Sequence, residues 1–590
     1  MMRKALFLPA FLTLIAFSAF AQGDDPPSWV ARLNYQSGSV SFRPGSVEEW
    51  TSATLNYPLT SGDHLWADAG AQTEMHVGST AIRMSSLTAM SFLNLDDRSV
   101  QLSLTQGSLN IRIRNLAEDE MFEVDTPNVA VTLLRAGDYR IDADGDKNET
   151  FITVRGGDAA VTGGGASFSV HPRESARLTG IETVSQEVGG APPPDQFDSW
   201  CEMRERREAQ AQISARYVPR DMVGYEDLDE YGVWSESPQY GWVWRPRAVE
   251  AGWAPYHYGH WAWVEPWGWT WIDDAPWGFA PFHYGRWAFA GAGWVWVPGR
   301  MVVGVRPVYA PALVAFVGGP RFGAAVAIGV GGVAAWFPLG PGEVYRPAYH
   351  VSEVYVRQVN ITHVTNINVV NVRYVNQNVQ GAVMAVPYEA FVTARPVMRA
   401  SIRIDTREVA QAQVVGTTAM VAPRRESVLA HGGPVVAAPP ARFAERPVFV
   451  KTRPPAPPVP FAAKQQALQA NQGRPLEPAQ VNSLRSNVPA LSPMVRTAAP
   501  TPGYANPQNR PALAPRQPEP RETMQPRSER PVPLERRSVD PAPRGERPVT
   551  IDRPAPAQQH EAAPRERGER PEKKGEKKKE EKKEKKDREH

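Results

Sequence analysis

The sequence predicts a mainly β chain, and three observations carry that reading. Residues up to about Gly180 run in short stretches of alternating apolar and polar side chains separated by Gly, Asn and Asp. Thirteen of the eighteen tryptophans fall between Trp234 and Trp296, inside a unit written three times: Tyr-Gly-x-Trp, then Gly-Trp-x-Trp starting nine or ten residues later. Residues 352–380 alternate Val or Ile with Asn, Thr and Arg, a third period-2 signal.

The chain opens on two cations, Arg3 and Lys4, followed by an almost wholly apolar run from Ala5 to Phe20 and the small-x-small triplet Ala19-Phe20-Ala21. That pattern predicts a signal peptide over 1–21, export to the periplasm or cell surface, and no transmembrane helix after cleavage. An uncleaved anchor is the alternative, but the run is interrupted by Pro9 and is short of the roughly 20 residues that span a bilayer. Cys201 is the only cysteine, so no internal disulfide forms and the core alone must hold the fold.

Strand-like runs follow at Val100–Leu104, Leu109–Arg114, Phe122–Asp125, Val129–Leu133, Tyr139–Asp142 and Phe151–Val154. Within them, Gln106-Gly-Ser-Leu-Asn-Ile-Arg-Ile, FEVDTPNVAVTLLRAGDYRID from Phe122 and Val154-Arg-Gly-Gly-Asp-Ala-Ala-Val match the strand and turn order of the FecR domain family. Residues 35–180 resemble that antiparallel β domain. The family commonly has Gly-Thr-x-Phe after its Thr-Pro strand, and this chain has Ala136-Gly137-Asp138-Tyr139 instead, which keeps the strand. Signalling members also have a cytoplasmic anti-sigma segment and a membrane helix, so the resemblance implies an envelope domain suited to protein or polymer contacts; a FecR-type sensor remains an alternative. Asp142-Ala-Asp-Gly-Asp146 has the letters of a calcium loop, but Gly145 comes fourth rather than sixth and strands flank it, so a hairpin turn is expected.

Asp198–Arg216 is charged and free of Gly and Pro, and predicts one exposed linker helix within 195–216, its charges forming pairs one turn apart. The repeats then predict a Trp-rich module of β-hairpins over 217–300, with a β extension over 301–395. In the second copy, Trp261 and Trp263 share a strand face, as do Trp269 and Trp271, and Val264–Gly268 supplies the turn, so each repeat offers one aromatic face. The segment from Tyr217, through GYEDLDEYGVW and WGWTWIDDAPWGFAPFHYGRW, resembles a Trp-rich domain of unknown function that often follows FecR-like domains in exported bacterial proteins.

Two uses for these aromatic faces are open. Each buried Trp removes on the order of 150–250 Å² from water, enough for the rings to serve as a core. Alternatively, Trp261, Trp263, Trp269, Trp271, Trp287, Trp294, Trp296, Tyr258 and Tyr284 are the candidate binding residues of platforms for the sugar rings of peptidoglycan or another polysaccharide. His257 and His283 recur at equivalent positions, which favours a repeated structural hydrogen bond over a metal site, and the neighbours Asp273 and Asp274 suit a turn better than an acid–base pair. Gly329-Val-Gly331-Gly-Val-Ala334 has the spacing of a dinucleotide loop, but Pro338 and Pro341 bar the helix that would follow, so a Gly-rich turn is expected. The run 352–380 predicts long strands, paired internally or with a second chain by strand addition.

From residue 438 to 590, Pro, Arg, Glu, Gln and Ala dominate, and the last twenty residues hold nine lysines against seven acids. Such composition predicts a long disordered Pro- and Lys-rich tail, either a tether or a solvated appendage. The reading that joins these observations is a non-catalytic envelope protein that binds a protein or cell-wall polymer, with no cofactor, metal or nucleic acid. The rival is a hydrolase of envelope polymers acting through His257, His283 and Asp273 or Asp274.

Overall fold

The alternating runs of the first part form seventeen strands between Ala31 and Gly190, joined in one hydrogen-bonded network that reaches beyond both limits expected for this domain. The computed structural model describes residues 25–318 apart from 292 and 303, 332–360, 374–430, 438–486 apart from 445, and 495–497. All of these lie in the first of two units, Met1–Asn506 and Pro507–His590. The expected signal peptide, Gly329–Gly331, residues 361–373 and the tail beyond 497 lie outside the described residues.

The strand Ser99–Ile113 closes the network. Its first half pairs antiparallel with Thr88–Leu95 and parallel with Met121–Asp125. Its second half pairs antiparallel with Thr80–Met84 and Gly137–Asp144. Two runs that read as separate strands in the sequence are thus one strand shared by two sheets. Gly107 lies between the two halves, with φ +91° and the Thr88 backbone 2.5 Å from where a Cβ would sit; a side chain there meets both strain and a clash. Gly137 begins its strand, so the departure at Ala136–Tyr139 leaves the fold intact. The Asp142–Asp146 segment is the expected hairpin turn between Gly137–Asp144 and Glu149–Gly156, with Lys147 paired to Asp144.

The helix predicted after this domain spans Gln196–Ala209, capped by Asp195 and Asp198 in a reciprocal box. It is not an exposed linker. Phe197, Trp200, Cys201, Arg204 and Glu208 are buried, and Trp200 packs on Tyr35 with ring centroids 5.9 Å apart. One intrahelical pair, Arg206 with Glu202, has the expected spacing. Other charges reach outward to the sheet, where strands present the complementary charges that a single-sequence reading had no means of placing.

Those contacts form a buried ionic network. Glu74 accepts from Arg83 Nε at 2.6 Å and Arg204 Nη2 at 2.7 Å. Arg114 bridges Glu205 and Glu208, each at 2.6 Å. His76 lies 2.8 Å from Glu226, and Arg32, 1% exposed, donates to Asp227 at 2.6 Å, Asn56 at 2.9 Å and the Pro276 carbonyl at 2.7 Å. Asn56 in turn donates to the carbonyls of Asp273 and Ala275. Sheet, helix and the start of the Trp-rich module are locked through groups that are costly to bury unpaired.

Three hairpins make up that module: Gly232–Ser237 with Gly241–Pro246, Gly259–Val264 with Gly268–Asp273, and Arg286–Ala290 with Gly293–Val297. The first and third join in one sheet through Trp244 and Trp296. The extension is a second four-stranded sheet, Met384–Pro387, Val333–Pro338, Val314–Gly318 and Gln413–Gly416, so it runs past the expected limit at 395. Part of the long strand expected over 352–380 is instead the helix Glu353–Asn360. Tyr355, Val356 and Val359 share its buried face while Val354 is exposed, a helical spacing that period-2 alternation of Val mimics over so few residues.

Disorder beginning at residue 438 is likewise corrected. Val448, Val450, Val459, Phe461 and Leu468 are buried, and Phe461–Ala470 is a helix. Proline-rich composition disfavours an autonomous core, but this segment borrows one: its apolar residues are buried, and the Phe449 and Phe461 N–H groups bond carbonyls of the N-terminal domain.

Candidate functional site

The repeat has a steric explanation. In each hairpin the Trp of Tyr-Gly-x-Trp faces the last Trp of Gly-Trp-x-Trp: Trp234 opposite Trp244, Trp261 opposite Trp271, Trp287 opposite Trp296. That last indole lies over the glycine of the same repeat. A Cβ on Gly232 would sit 2.1 Å from Trp244, on Gly259 2.8 Å from Trp271, and on Gly285 2.4 Å from Trp296. Each of these indoles also has a buried acceptor: Trp244 donates to the Leu228 carbonyl at 2.8 Å, Trp296 to the Tyr284 carbonyl at 2.9 Å, and Trp271 to the Asp273 carboxylate at 3.0 Å. Tyr-Gly-x-Trp and Gly-Trp-x-Trp are therefore two halves of one packing unit.

Consequently most of the nominated binding residues are core. Trp261, Trp263, Trp269, Trp271, Trp287, Trp294, Trp296 and Tyr284 are all buried. Trp261 alone has Trp271, Phe316, Trp336 and Phe391 within 5.6 Å between centroids. Platforms on these eight are ruled out because the β extension covers one set and the joined sheet another. Tyr258 is half-buried and donates to Glu250 at 3.2 Å.

One position of the repeat escapes. Trp242, the first Trp of Gly-Trp-x-Trp in the first copy, is 44% exposed, whereas its equivalents Trp269 and Trp294 are 2% and 6% exposed. Trp269 is covered by Phe391 and donates to the Val421 carbonyl; Trp294 meets Phe289 edge-on. Among the aromatic rings of the described residues, Trp242 meets Tyr217, 4.4 Å away and tilted by 30°, which also lies 4.7 Å from Trp234. Trp234 is fixed by a 2.9 Å bond to Ser214, and Glu236 stands directly opposite Trp242 in the ladder. The result is a surface aromatic ledge of Tyr217, Trp234 and Trp242 with a carboxylate at its rim. None of the three was nominated from the sequence. The available signal was that only the second and third copies are preceded by Gly-(Trp/Phe)-Ala-Pro-(Tyr/Phe)-His, which marks the first as the odd copy.

The residues of the hydrolase reading are engaged structurally. His283 Nδ1 lies 2.8 Å from the Ala310 carbonyl and His257 Nε2 3.3 Å from that of Ala382. Burial lowers both, His257 to about 4 and His283 to about 3, so they are neutral hydrogen-bonding groups at physiological pH. Asp273, pushed well above the usual carboxylate range by burial, accepts from Trp271 and the Ala275 N–H in a turn. Among the described residues, no group of three or more His, Cys, Asp or Glu side chains is placed to hold a metal ion. A cleft of about 930 Å³ opens where the second hairpin meets the N-terminal sheets, lined by Trp50, Trp263, Arg43, Asp63 and the prolines 454–460. Its Asp63, raised by burial to about 7, accepts the N–H groups of Gly45 and Thr60 and so holds a loop.

No curated protein matches. Two solved structures, each described as an anti-sigma factor from Parabacteroides distasonis, are similar to part of it. The first has 13% identity and a TM-score of 0.21 over 23% of this chain and 64% of the other; the second has 12% and 0.20 over 30% and 68%. This chain thus spans just under two thirds of the first. Residues 225–343, from the Tyr beside Glu226 and Asp227 through all three repeats and two strands of the extension, match a family of unknown function (DUF6600).

Proposed function

We propose that this is a non-catalytic binding protein of the bacterial envelope, whose ligand is a glycan of the cell wall or of another envelope polysaccharide, held on the ledge of Tyr217, Trp234 and Trp242. The observation that carries the reading is the exposure of Trp242 at a repeat position that is buried in the other two copies. A ring face left open beside a carboxylate suits a sugar, which stacks its apolar face and offers hydroxyls at the rim. The N-terminal pattern of Met1–Ala21 supports export to where such polymers occur.

Titration of the full chain with soluble peptidoglycan fragments is expected to shift its tryptophan emission and to leave the glycan uncleaved. Trp242→Ala abolishes the shift while changing stability by only about 1 kcal/mol, the scale of one aromatic pair. Release of new reducing ends would instead support the hydrolase, and an unaltered response in Trp242→Ala would remove the ledge from the account.

A further inference from the structure

The Pro-rich segment after residue 445 is held on the N-terminal domain as a ligand would be. Val448 and Val450 point inward and are 2% and 0% exposed, while Phe449 between them is only partly covered. The Phe449 N–H donates to the Thr126 carbonyl at 2.8 Å, just past the strand Met121–Asp125. Glu123, itself fully buried, accepts from the Lys451 N–H at 2.9 Å and the Thr452 N–H at 3.1 Å, and Gln101 donates to the Thr452 carbonyl at 2.8 Å. Arg446 pairs with Asp146 at 3.1 Å and lies so close to Gly145 that a Cβ there would be 2.4 Å from its guanidinium. Farther on, Pro458 packs directly on Gly62, and the Phe461 N–H reaches the Ser46 carbonyl. Val448–Val450 itself pairs parallel with Val495–Thr497, and the domain holds it by one backbone bond, by side-chain bonds from Glu123 and Gln101 to its backbone and by burial of alternate side chains, which is how an extended peptide is seated.

The sequence held there, Arg-Pro-Val-Phe-Val-Lys-Thr-Arg-Pro from Arg446 to Pro454, recurs one residue shorter as Arg-Pro-Val-Thr-Ile-Asp-Arg-Pro from Arg547 to Pro554, each preceded by Glu. The changes obey the docking pattern. Arg547 and Val549 repeat Arg446 and Val448, Ile551 keeps an apolar β-branched side chain where Val450 is buried, and Thr550 differs where Phe449 faces outward. We infer that the groove lined by Glu123, Gln101, Thr126 and Gly145 is a docking site for this Arg-Pro-Val-x-(Val/Ile) motif. It is filled in cis by residues 446–460, and Glu546–Pro556 of a second copy of the chain is its alternative occupant, so that exchange of the two motifs links copies. A partial copy nearer in the tail, Arg530-Pro-Val-Pro533, carries Pro where Phe449 gives its N–H and is excluded on that ground.

Sedimentation velocity of the full chain over a concentration series is expected to show self-association that Val549→Asp with Ile551→Asp abolishes; identical profiles for the two proteins overturn exchange. A labelled peptide covering residues 544–557 reads the groove directly. It binds the full chain, and binds on the order of tenfold or more tighter once Val448→Asp with Val450→Asp releases the cis segment, whose tethering gives it a high effective concentration. A peptide covering 527–540 does not bind. Failure of the 544–557 peptide to bind the released protein, or equal binding of the 527–540 peptide, overturns the assignment.

Discussion

Gly232→Ala lowers the unfolding free energy by about 2–3 kcal/mol, the upper part of the range for forcing a methyl group into a packed core. The backbone of Gly232 is extended, at φ −152°, so alanine meets no conformational penalty there. The whole effect arises from the Trp244 indole, 2.1 Å from the new Cβ and tied to the Leu228 carbonyl by its N–H. Gly285→Ala adds backbone strain to the same clash, because φ is +73° and Trp296 lies 2.4 Å away, and costs about 1 kcal/mol more. Urea unfolding followed by tryptophan emission measures both. If Gly232→Ala leaves the midpoint unchanged, the glycine-under-indole account of the repeat is wrong.

Arg32→Met is expected to cost about 3–5 kcal/mol, the usual result of removing one member of a buried ion pair. It removes the nearest cation of Asp227, leaving only Arg207 at 3.7 Å, takes from Glu226 one of its two cations, and removes the Arg32 donors to the Asn56 and Pro276 oxygens. Because these groups belong to the N-terminal domain and to the Trp-rich module, far-ultraviolet circular dichroism and tryptophan emission should lose stability together. A loss confined to one signal would mean that the two parts are not coupled through this network.

The same network sets a pH dependence. Burial works against the charge of His76, yet Glu226 and Glu208 raise it from 6.5 to about 10. Burial would raise Glu226, yet the His76 charge and hydrogen bond and Arg32 bring it from 4.5 down to about 2. The raised His76 stabilises fully below 6.5 and loses that contribution as pH climbs toward 10; the depressed Glu226 stabilises fully above 4.5 and loses its share as pH falls toward 2. Glu208, raised by burial, stabilises fully below 4.5 and loses that contribution as pH climbs above it, which draws the maximum toward the acid end of the window. Urea midpoints of the wild type should therefore be highest between these limits and decline on both sides.

Much of the fold was legible because strand periodicity and turn residues are local. Trp261 and Trp263 on one face, the Pro266–Gly268 turn and the hairpin at Asp142–Asp146 all follow from spacing. Burial of a particular face is not local. Nothing within Asp198–Arg216 says that Glu74, Arg83 and Arg114 wait on a sheet more than eighty residues earlier, so its charges read as solvated. Val450 and Phe461 read as tail residues because their partners lie in the N-terminal sheets. The site was missed for the same reason: whether a repeated Trp is core or surface depends on what covers it, and Phe391 and Val421 cover Trp269 from over a hundred residues away.

Iodide quenching of the full chain, compared with Trp242→Phe, tests the central claim that the repeats build a core and leave one ledge open. The account predicts blue-shifted emission that is mostly inaccessible to iodide, with a small quenchable fraction that falls sharply in Trp242→Phe. Emission that is mostly quenchable, or a quenchable fraction that Trp242→Phe leaves untouched, would contradict it.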